Sequence, residues 1–252
     1  MTRHIDLNCD MGEGFGAWRM GQDEALLDLV TSANIACGYH AGDPATMLRT
    51  VTCAAAKGVA VGAHPSLPDL QGFGRRTMAI SPDEARGITL YQIGALDAFA
   101  RAAGTRLRHV KAHGALYNMA AKDRRLAEAI ASAVRDFDPA LVLVGLSGSE
   151  LIKAGLGLGL ACASEVFADR GVEPDGSLTP RGQPGAMIED EDLAVARVLR
   201  MVTEGRIACS NGAEVAIQAD TVCIHGDQPK ALAFARRLRE ALERAGVEVR
   251  VS

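Results

Sequence analysis

Acidic, imidazole and amino side chains follow short apolar runs of the sequence, where the strands of an α/β protein end. Asp6, Asn8 and Asp10 alternate along and after the first run. Lys111 and His113 alternate at the end of the fourth run. Because successive side chains of a strand point to opposite faces, each alternating set lies on one face. Carboxylates, imidazoles and ammonium groups brought together there can transfer protons and bind anions.

Imidazole and carboxylate groups also lie in or after other apolar runs. Asn34 and His40 have the same parity around the second run, and His64 follows the third. Glu165 lies in the sixth run, and His225 follows the seventh. Buried polar groups of this kind destabilise a fold unless they pair with one another or with a ligand. Because α/β barrels and open α/β sheets place ligand sites at the carboxyl ends of their strands, we predict a polar active-site bowl there.

Seven short apolar runs predict the strands that position these side chains. Helix signals lie between most of them: Asp43 is an N-cap residue before Pro44. Ser81 and Glu84 have the spacing of a capping box. Alternating strands and helices predict parallel βαβ units with right-handed crossovers. The predicted strands are His4–Cys9, Thr31–Cys37, Val59–Ala63, Leu107–Ala112, Leu141–Leu146, Leu160–Phe167 and Thr221–Ile224.

Three further helices are predicted in the second half of the chain. Asp123 caps a helix that runs through Phe137, and the acidic residues within 189–192 mark the start of the next helix. Pro229 begins the last helix, and Gly246 ends it.

The length of the chain fits one domain. It has 252 residues, and a (β/α) barrel typically needs about 250. We therefore predict a single barrel domain over 1–252 with two interruptions. Asn211 and Gly212, between short apolar stretches, predict a small hairpin inserted near 207–218. Three prolines and four glycines without periodicity predict a long lid or binding loop near 171–187.

The composition excludes several classes of protein. Apolar residues make up 48% and charged residues 23%, which are ordinary globular values. The formal net charge of −4 argues against nucleic acid or an anionic membrane as a partner. No run approaches the roughly 20 apolar residues of a membrane span, and the first residues do not form a secretory signal. Six scattered cysteines without zinc-type spacing indicate a reduced, cytoplasmic protein.

Some of these residues have structural interpretations beside the functional ones. Asp43 fits two roles equally well: it can cap a helix, or it can act as a ligand. His109 lies earlier in its strand than His113, which favours a structural role. The sequence has no G-x-x-x-x-G-K-[ST] loop, so a nucleotide must be held by other means. The strand cysteines are interpreted as small buried apolar residues: Cys9, Cys37, Cys162 and Cys223.

Six long motifs of the chain together closely resemble the LamB/YcsF family. They span residues 5 to 227 and contain most of the polar residues discussed above. Two departures are visible: Ala112 stands where the family usually has proline, and Val172 where an aromatic residue is common. The motifs are Ile5–Gly16, Ser32–Pro44, Gly62–Arg76, Val110–Asn118, Phe167–Gly171 with Asp175, Gly176 and Arg181, and Cys223–Asp227.

The resemblance implies both a fold and an activity. The fold is a seven-stranded (β/α) barrel similar to the glycoside hydrolase and polysaccharide deacetylase superfamily. The activity is ATP-dependent cleavage of 5-oxo-L-proline to L-glutamate, with ADP and phosphate as the other products. The resemblance also implies a complex with 5-oxoprolinase subunits B and C, and ATP accompanied by Mg²⁺ in place of a tightly bound organic cofactor. Self-association stays open.

For that reaction we predict phosphorylation of the lactam oxygen, water attack at the activated carbon and release of the ring nitrogen. Aromatic residues make up only 4% of the chain, which favours a small anionic substrate over a stacked sugar or base. Cations must hold the substrate carboxylate and the phosphate oxygens, and a base and an acid must move protons. The predicted catalytic residues are Asp10, His40, His64, Lys111 and His113, and the predicted substrate-binding residues are Asp6, Asn8, Glu13, Arg75, Glu165, Arg170 and His225.

Roles within this set follow from side-chain chemistry. Lys111, Arg75 and Arg170 are the predicted cationic clamp, since arginine can grip a carboxylate with two parallel hydrogen bonds. Mg²⁺ prefers oxygen ligands. The carboxylates of Asp6, Asp10 and Glu165 are therefore candidates to hold the Mg²⁺ that accompanies ATP.

Two other functions fit the same residues. Carboxylates and imidazoles at barrel strand ends also suit a divalent-metal hydrolase or deacetylase that acts on an amide or carbohydrate without ATP. Alternatively, the chain is a non-catalytic subunit that binds substrate and presents it to catalytic partners.

Overall fold

The computed structural model of the chain describes residues 3–226 and 230–251. Within these ranges the strands are β1 (His4–Met11), β2 (Ser32–Ala36), β3 (Ala60–His64), β4 (Leu107–Lys111), β5 (Val142–Leu146), β6 (Cys162–Phe167), β7 (Arg206–Ala208), β8 (Glu214–Ala216), β9 (Thr221–Ile224) and β10 (Glu248–Val249). The parallel strands β1 to β6 and β9 pair in sequence order, and β9 pairs again with β1. This closed barrel confirms the predicted seven-stranded (β/α) fold.

Helices cover the outside of the barrel. The cap of α2 (Pro44–Ala56) is as predicted, because the Asp43 carboxylate accepts a hydrogen bond from the Thr46 backbone N–H. Ser81 and Glu84 form the predicted capping box of α3 (Pro82–Ala102). No helix in the described ranges is long and apolar enough to cross a membrane. The helices are α1 (Asp23–Leu26), α2 (Pro44–Ala56), α3 (Pro82–Ala102), α4 (Gly114–Lys122), α5 (Arg124–Phe137), α6 (Glu150–Gly157), α7 (Glu191–Glu204) and α8 (Ala231–Arg244).

The last two predicted helix starts have different outcomes. Asp190 caps α7 with its side chain, within the predicted acidic segment 189–192. The predicted start of the last helix at Pro229, and Asp227 of the last motif, lie outside the described residues.

The two faces of β1 have opposite character, as the alternation of the sequence predicts. Ile5, Leu7 and Cys9 are fully buried in the hydrophobic core between strands and helices. Asn8 points into the barrel, where its Nδ2 donates to Glu165 Oε1 at 3.0 Å and to Thr221 Oγ1 at 2.7 Å. The barrel interior is therefore a polar network that reaches from one side of the sheet to the other.

His109 fills part of this interior beside a glycine. Its Nε2 hydrogen bonds to Asn34 Oδ1 at 2.7 Å. A Cβ on Gly62 would lie 2.0 Å from the same nitrogen, at the irregular register between β3 and β4. Burial, with help from the positive charge of Lys111, lowers the pKa of His109 to about 3. His109 is therefore a neutral structural residue of the barrel.

Two excursions lie between β6 and β9. β7 and β8 form an antiparallel hairpin. The segment 171–187 is folded against the barrel by Arg170, whose guanidinium donates to the carbonyl oxygens of Thr179 at 2.7 Å and Ala186 at 3.0 Å. Because this segment lines the cavity described below, Arg170 fixes one wall of it.

Candidate active site

A cavity of about 680 Å³ lies at the C-terminal ends of the barrel strands. It is lined by strand ends, by the start of α4 and by residues 177–181 of the long excursion. Eight of the predicted site residues line it: Asp10, Glu13, His64, Arg75, Lys111, His113, Arg170 and His225. The structure thus brings together most of the side chains that strand position and the family resemblance suggested.

Asp10 is the best-supported carboxylate of the cavity wall. Its Oδ1 accepts hydrogen bonds from Lys111 Nζ at 2.9 Å and from Asn34 Nδ2 at 2.9 Å. Its Oδ2 lies 3.3 Å from His64 Nε2. Burial by itself would raise the pKa of Asp10, but the contacts with His64 and with the Lys111 ammonium group outweigh burial and hold this pKa well below its usual range. Asp10 is therefore ionised at neutral pH.

Lys111 lies between two carboxylates. Its Nζ is 2.8 Å from Glu165 Oε1 and also contacts Asn8 Oδ1 at 3.2 Å and Cys223 Sγ at 3.1 Å. Burial opposes its charge, but Asp10 and the other acidic neighbours hold the pKa of Lys111 well above its usual range. Since an ammonium group has three donors and they are already engaged, Lys111 orients the two carboxylates. The predicted clamp on substrate is left to the arginines.

His64 and His113 face each other at the floor of the cavity. His113 Nδ1 lies 2.9 Å from His64 Nε2. The outer nitrogens point at backbone carbonyls: His64 Nδ1 is 2.7 Å from the Lys111 oxygen, and His113 Nε2 is 2.9 Å from the Phe73 oxygen. A carbonyl only accepts, so both outer nitrogens carry a hydrogen. Burial and the neighbouring imidazoles hold the pKa of His113 well below its usual range.

Glu13 and His40 complete the cluster. His40 Nε2 lies 3.0 Å from Glu13 Oε1, and the His40 ring stacks on the His113 ring with centroids 3.8 Å apart. Glu13 Oε1 is 3.6 Å from His113 Nδ1. Burial is the main cause of the raised pKa of Glu13 and of the lowered pKa of His40. His40 Nδ1 is buried and has no hydrogen-bond partner.

The backbone around His113 is held in an unusual conformation. Phe73 has a φ of +54° and is the one residue other than glycine with a left-handed backbone among residues 3–226 and 230–251. Its carbonyl thereby faces His113 Nε2. A Cβ on Gly74 would meet Ser66 Oγ at 2.2 Å, and one on Gly114 would meet the Gly74 oxygen at 2.5 Å. Glycines here let the loop before α3 and the start of α4 approach closely enough to hold the imidazole.

Three arginines and one histidine also line the cavity. Arg75, Arg170 and Arg181 all face the cavity. Burial, with the nearby charge of Arg181, lowers the pKa of Arg170 to about 10, which leaves it cationic at neutral pH. His225 Nδ1 contacts the Asp169 carboxylate at 2.8 Å. The other ring nitrogen of His225, Nε2, lies 3.4 Å from the Arg181 guanidinium at the cavity wall.

Asp6 does not belong to this cavity. Its carboxylate accepts hydrogen bonds from Thr31 Oγ1 at 2.6 Å, Ser32 Oγ at 2.7 Å and Thr221 Oγ1. It lines a different cavity, of about 590 Å³, whose other lining residues include Leu107 at the start of β4. Burial raises the pKa of Asp6. Its predicted substrate contact therefore has no support in the position of the residue.

The predicted Mg²⁺ ligands are not grouped around one point. Asp6 is held by three hydroxyl groups at a different level of the barrel. Asp10 and Glu165 are bridged by the Lys111 ammonium group, which occupies the position that a cation would need. Asn8, His40 and Glu165 do not line the cavity. Asn8 and Glu165 contact Lys111, and His40 contacts Glu13, so all three support residues that do line it.

Comparison with known proteins identifies the family. Residues 5–252 match the model of the LamB/YcsF family. The chain belongs to the LamB/YcsF family. A protein of Bordetella pertussis named as the A subunit of 5-oxoprolinase is 63% identical over all 252 residues of both chains. A Bacillus subtilis protein of the same name is 59% identical, covering 97% of this chain and 95% of the relative.

A crystal structure of a similar protein agrees with the fold. The lactam utilization protein from Thermus thermophilus is 52% identical and superposes with a TM-score of 0.93, over 99% of this chain and 100% of that one. Of the two departures from the LamB/YcsF motifs, the one at residue 112 lies in the cavity wall. Ala112 is buried between Lys111 and His113 in the cavity wall, and Val172 pairs with Leu178 in the 171–187 segment.

The LamB/YcsF motifs also contain site residues that residue chemistry alone did not single out. Tyr117 donates from its hydroxyl to Glu165 Oε2 at 2.7 Å and lines the cavity. It lies four residues after His113, so helical periodicity on α4 was the signal that could have found it. Asp169 and Arg181 are the others, and both fall in loops that have no periodicity to reveal their direction.

Proposed function

We propose that this chain is the A subunit of a 5-oxoprolinase. The enzyme cleaves 5-oxo-L-proline to L-glutamate and hydrolyses ATP to ADP and phosphate. The observation that carries the proposal is the ionised Asp10, oriented by Lys111 and facing a cavity lined by arginines. The relatives named as 5-oxoprolinase A subunits support it, because their identity to this chain is high and covers its whole length.

The cavity suits a small anion. 5-Oxoproline carries one carboxylate and a five-membered lactam ring, and Arg75, Arg170 and Arg181 supply positive charge on the wall. Guanidinium groups can bind a carboxylate or a phosphate through paired hydrogen bonds. We assign the substrate carboxylate and the phosphate oxygens to this wall.

Opening the ring needs two proton transfers. After ATP phosphorylates the lactam oxygen and ADP leaves, water attacks the ring carbon while a base takes its proton, and the ring nitrogen then leaves as it gains a proton. A second water hydrolyses the resulting acyl phosphate to L-glutamate and phosphate. Asp10 is the proposed base, since it is ionised and its Oδ1 is fixed by Lys111 and Asn34. His225 is the proposed donor to the nitrogen, because it lines the cavity and the Asp169 carboxylate fixes the orientation of its ring.

The proposed enzyme contains more than one kind of chain. The relatives carry the word subunit in their names, and we propose subunits B and C as the partners. We place the complex in the cytoplasm, where ATP is available and where its free cysteines stay reduced.

Reconstitution tests the proposal. The purified chain is mixed with subunits B and C from the same organism, and glutamate and ADP formation are measured with and without 5-oxoproline. We expect both products only when all chains and 5-oxoproline are present. ATP binding by each separate chain then assigns the nucleotide site. Absence of 5-oxoproline-dependent ATP hydrolysis in the full mixture would overturn the proposal.

A variant at Asp10 tests its role as the base. Asp10→Asn should lower kcat by about 10²–10⁴-fold, which is the usual contribution of a positioned proton-transfer group. Asp28→Asn is the matched control, since Asp28 is an exposed carboxylate that pairs with Lys57 on the surface. Full activity of Asp10→Asn would show that the chain binds substrate for partners that catalyse.

A further inference from the structure

We infer that Glu13, His64 and His113 form a binding site for a divalent transition-metal ion of the zinc or manganese type. The inference concerns metal binding by this chain alone, so it does not depend on the proposed reaction. Four side chains offer ligand atoms that all lie within 4.8 Å of one another: Glu13, His40, His64 and His113. The arrangement around His64 and His113 decides which of them bind the ion.

Unprotonated nitrogens converge at this point. The outer nitrogens of His64 and His113 carry their hydrogens, because they face the carbonyl oxygens of Lys111 and Phe73. In neutral imidazoles the inner nitrogens are then both lone-pair acceptors, and they lie 2.9 Å apart. Asp10 Oδ2, 3.3 Å from His64 Nε2, adds a further acceptor. Such a group of acceptors is stable only around a positive charge, which is either a metal ion or an added proton.

The distances fit a coordination sphere. Ligand atoms bound at about 2.0–2.1 Å are about 2.9 Å apart at right angles and about 3.3 Å apart in a tetrahedron. His64 Nε2 and His113 Nδ1 are 2.9 Å apart, and Glu13 Oε1 is 3.6 Å from His113 Nδ1. The His64 and His113 rings are at 83° to each other, so both can direct in-plane lone pairs at one point.

The ring of His40 rules it out as a ligand of the same ion. Its plane is parallel to that of His113 within 7°, with centroids 3.8 Å apart. An ion in the plane of one stacked ring lies far out of the plane of the other. His40 also does not line the cavity, whereas Glu13, His64 and His113 do. We therefore assign His40 as a positioning residue that donates from Nε2 to the Glu13 carboxylate.

The surroundings favour a particular class of ion. Metal-binding histidines commonly donate their other N–H to a backbone carbonyl, as both His64 and His113 do. Two imidazole nitrogens with a carboxylate suit Zn²⁺, Mn²⁺, Fe²⁺ or Co²⁺, while Mg²⁺ and Ca²⁺ prefer oxygen ligands throughout. An ion here borders the open cavity, where it would polarise a carbonyl or phosphoryl oxygen that enters.

Metal binding by the full-length chain tests the inference. The chain is stripped with a chelator, dialysed, and titrated with Zn²⁺ and with Co²⁺. We expect one equivalent of Zn²⁺ by mass spectrometry of the metal, and a visible Co²⁺ absorption band typical of nitrogen and oxygen ligands. Neither readout requires the partner subunits, ATP or 5-oxoproline, so the outcome is independent of the proposed function.

Variants separate the ligands from their neighbours. His113→Ala and Glu13→Gln should abolish stoichiometric binding, and circular dichroism checks their folding. Glu13→Gln is nearly isosteric, which keeps the test valid if His113→Ala does not fold. His40→Phe should retain binding with an affinity reduced by about 10–100-fold, as expected for an outer-shell residue. His225→Gln is the control, because this histidine lines the same cavity and is held by Asp169.

Two results would overturn the inference. Less than a tenth of an equivalent of either ion on the unmodified chain would leave a shared proton between His64 and His113 as the explanation of their contact. Equal loss of binding in His225→Gln and His113→Ala would place the ion elsewhere or show nonspecific binding.

Discussion

The ammonium group of Lys111 lies 2.8 Å from Glu165 Oε1 inside the barrel, where both side chains are almost fully buried. Asp10, on the other side of Lys111, faces the cavity. The buried pair therefore connects the polar interior of the barrel to a residue of the active site. A substitution in the interior should therefore alter the position of Asp10, the carboxylate that we propose as the base.

Removal of the Lys111 charge should lower the free energy of unfolding more than removal of the Glu165 charge. Lys111→Met leaves two buried carboxylates without their cation and should lower the free energy of unfolding by about 3–5 kcal/mol. Glu165→Gln leaves Lys111 paired with Asp10 and should cost about 1–3 kcal/mol. Urea unfolding at neutral pH measures both values. Equal costs would contradict the assignment of Lys111 as the shared partner.

The hydroxyl of Tyr117 should stabilise the same network. Tyr117→Phe deletes the hydrogen bond to Glu165 Oε2 and should lower the free energy of unfolding by about 1–3 kcal/mol, since a buried acceptor loses its donor. Tyr91→Phe is the control, because Tyr91 is 63% exposed. The two variants are compared by urea unfolding, and a loss in Tyr91→Phe as large as that in Tyr117→Phe would argue against this explanation.

His109 should make the stability depend on pH. Its pKa is about 3 in the folded chain against 6.5 for an ordinary histidine. The folded state thus favours the neutral form, and the stability that this contributes is present above pH 6.5 and is lost as the pH falls toward 3. Between pH 7 and pH 5 the loss from this residue should be about 2 kcal/mol.

Comparison of variants isolates that contribution. Urea unfolding at both pH values should show a smaller pH effect in His109→Gln than in the unmodified chain, while His4→Gln, at an exposed position, should leave it unchanged. An unchanged pH effect in His109→Gln would mean that other groups cause it.

A methyl group on Gly62 should be poorly tolerated. Gly62→Ala places a Cβ 2.0 Å from His109 Nε2, so the ring must move, and overpacking of this kind typically costs about 1–3 kcal/mol. Gly87→Ala is the matched control in α3, where a Cβ meets no atom within 4 Å. There the change should raise stability by up to about 1 kcal/mol, because alanine favours helix. Thermal unfolding of both variants measures the contrast.

Loss of the Asp169 carboxylate should lower kcat more than it raises KM. In the reconstituted enzyme, Asp169→Asn removes the charged acceptor of the His225 Nδ1 hydrogen and so loosens the orientation of the ring. We expect kcat to fall by about 10²-fold or more with little change in KM. A rise in KM alone would instead indicate that His225 binds substrate.

Much of the fold was predictable because strand and helix signals are local. The last barrel strand has the predicted bounds, Thr221–Ile224, and Asp43 caps α2 as expected. The helix α4 was not predicted, since it begins directly after β4 with Gly114, and His113 at its N-cap makes no side-chain capping bond. β10 has only two residues, which is too short for any periodicity.

The sequence predicted which face of a strand each site residue lies on, but not how far along the barrel it lies. Alternation along β1 placed Asp6 and Asp10 on the same face, yet four residues of strand separate them by about 13 Å. Asp6 therefore lies near another level of the barrel. Glu13 and His40 meet in loops beyond the strand ends, where parity no longer applies, so their contact could not be derived from spacing.

The left-handed backbone of Phe73 sets a limit on improving this chain for use at high temperature. A non-glycine residue in that conformation costs about 1–2 kcal/mol. The same residue packs its ring against His40 and His113 and carries Arg75 over its face. Selection for thermostability would favour glycine here, whereas selection for catalysis would keep the ring. Selection for thermostability alone should therefore replace Phe73 with glycine early and lower the activity as a result.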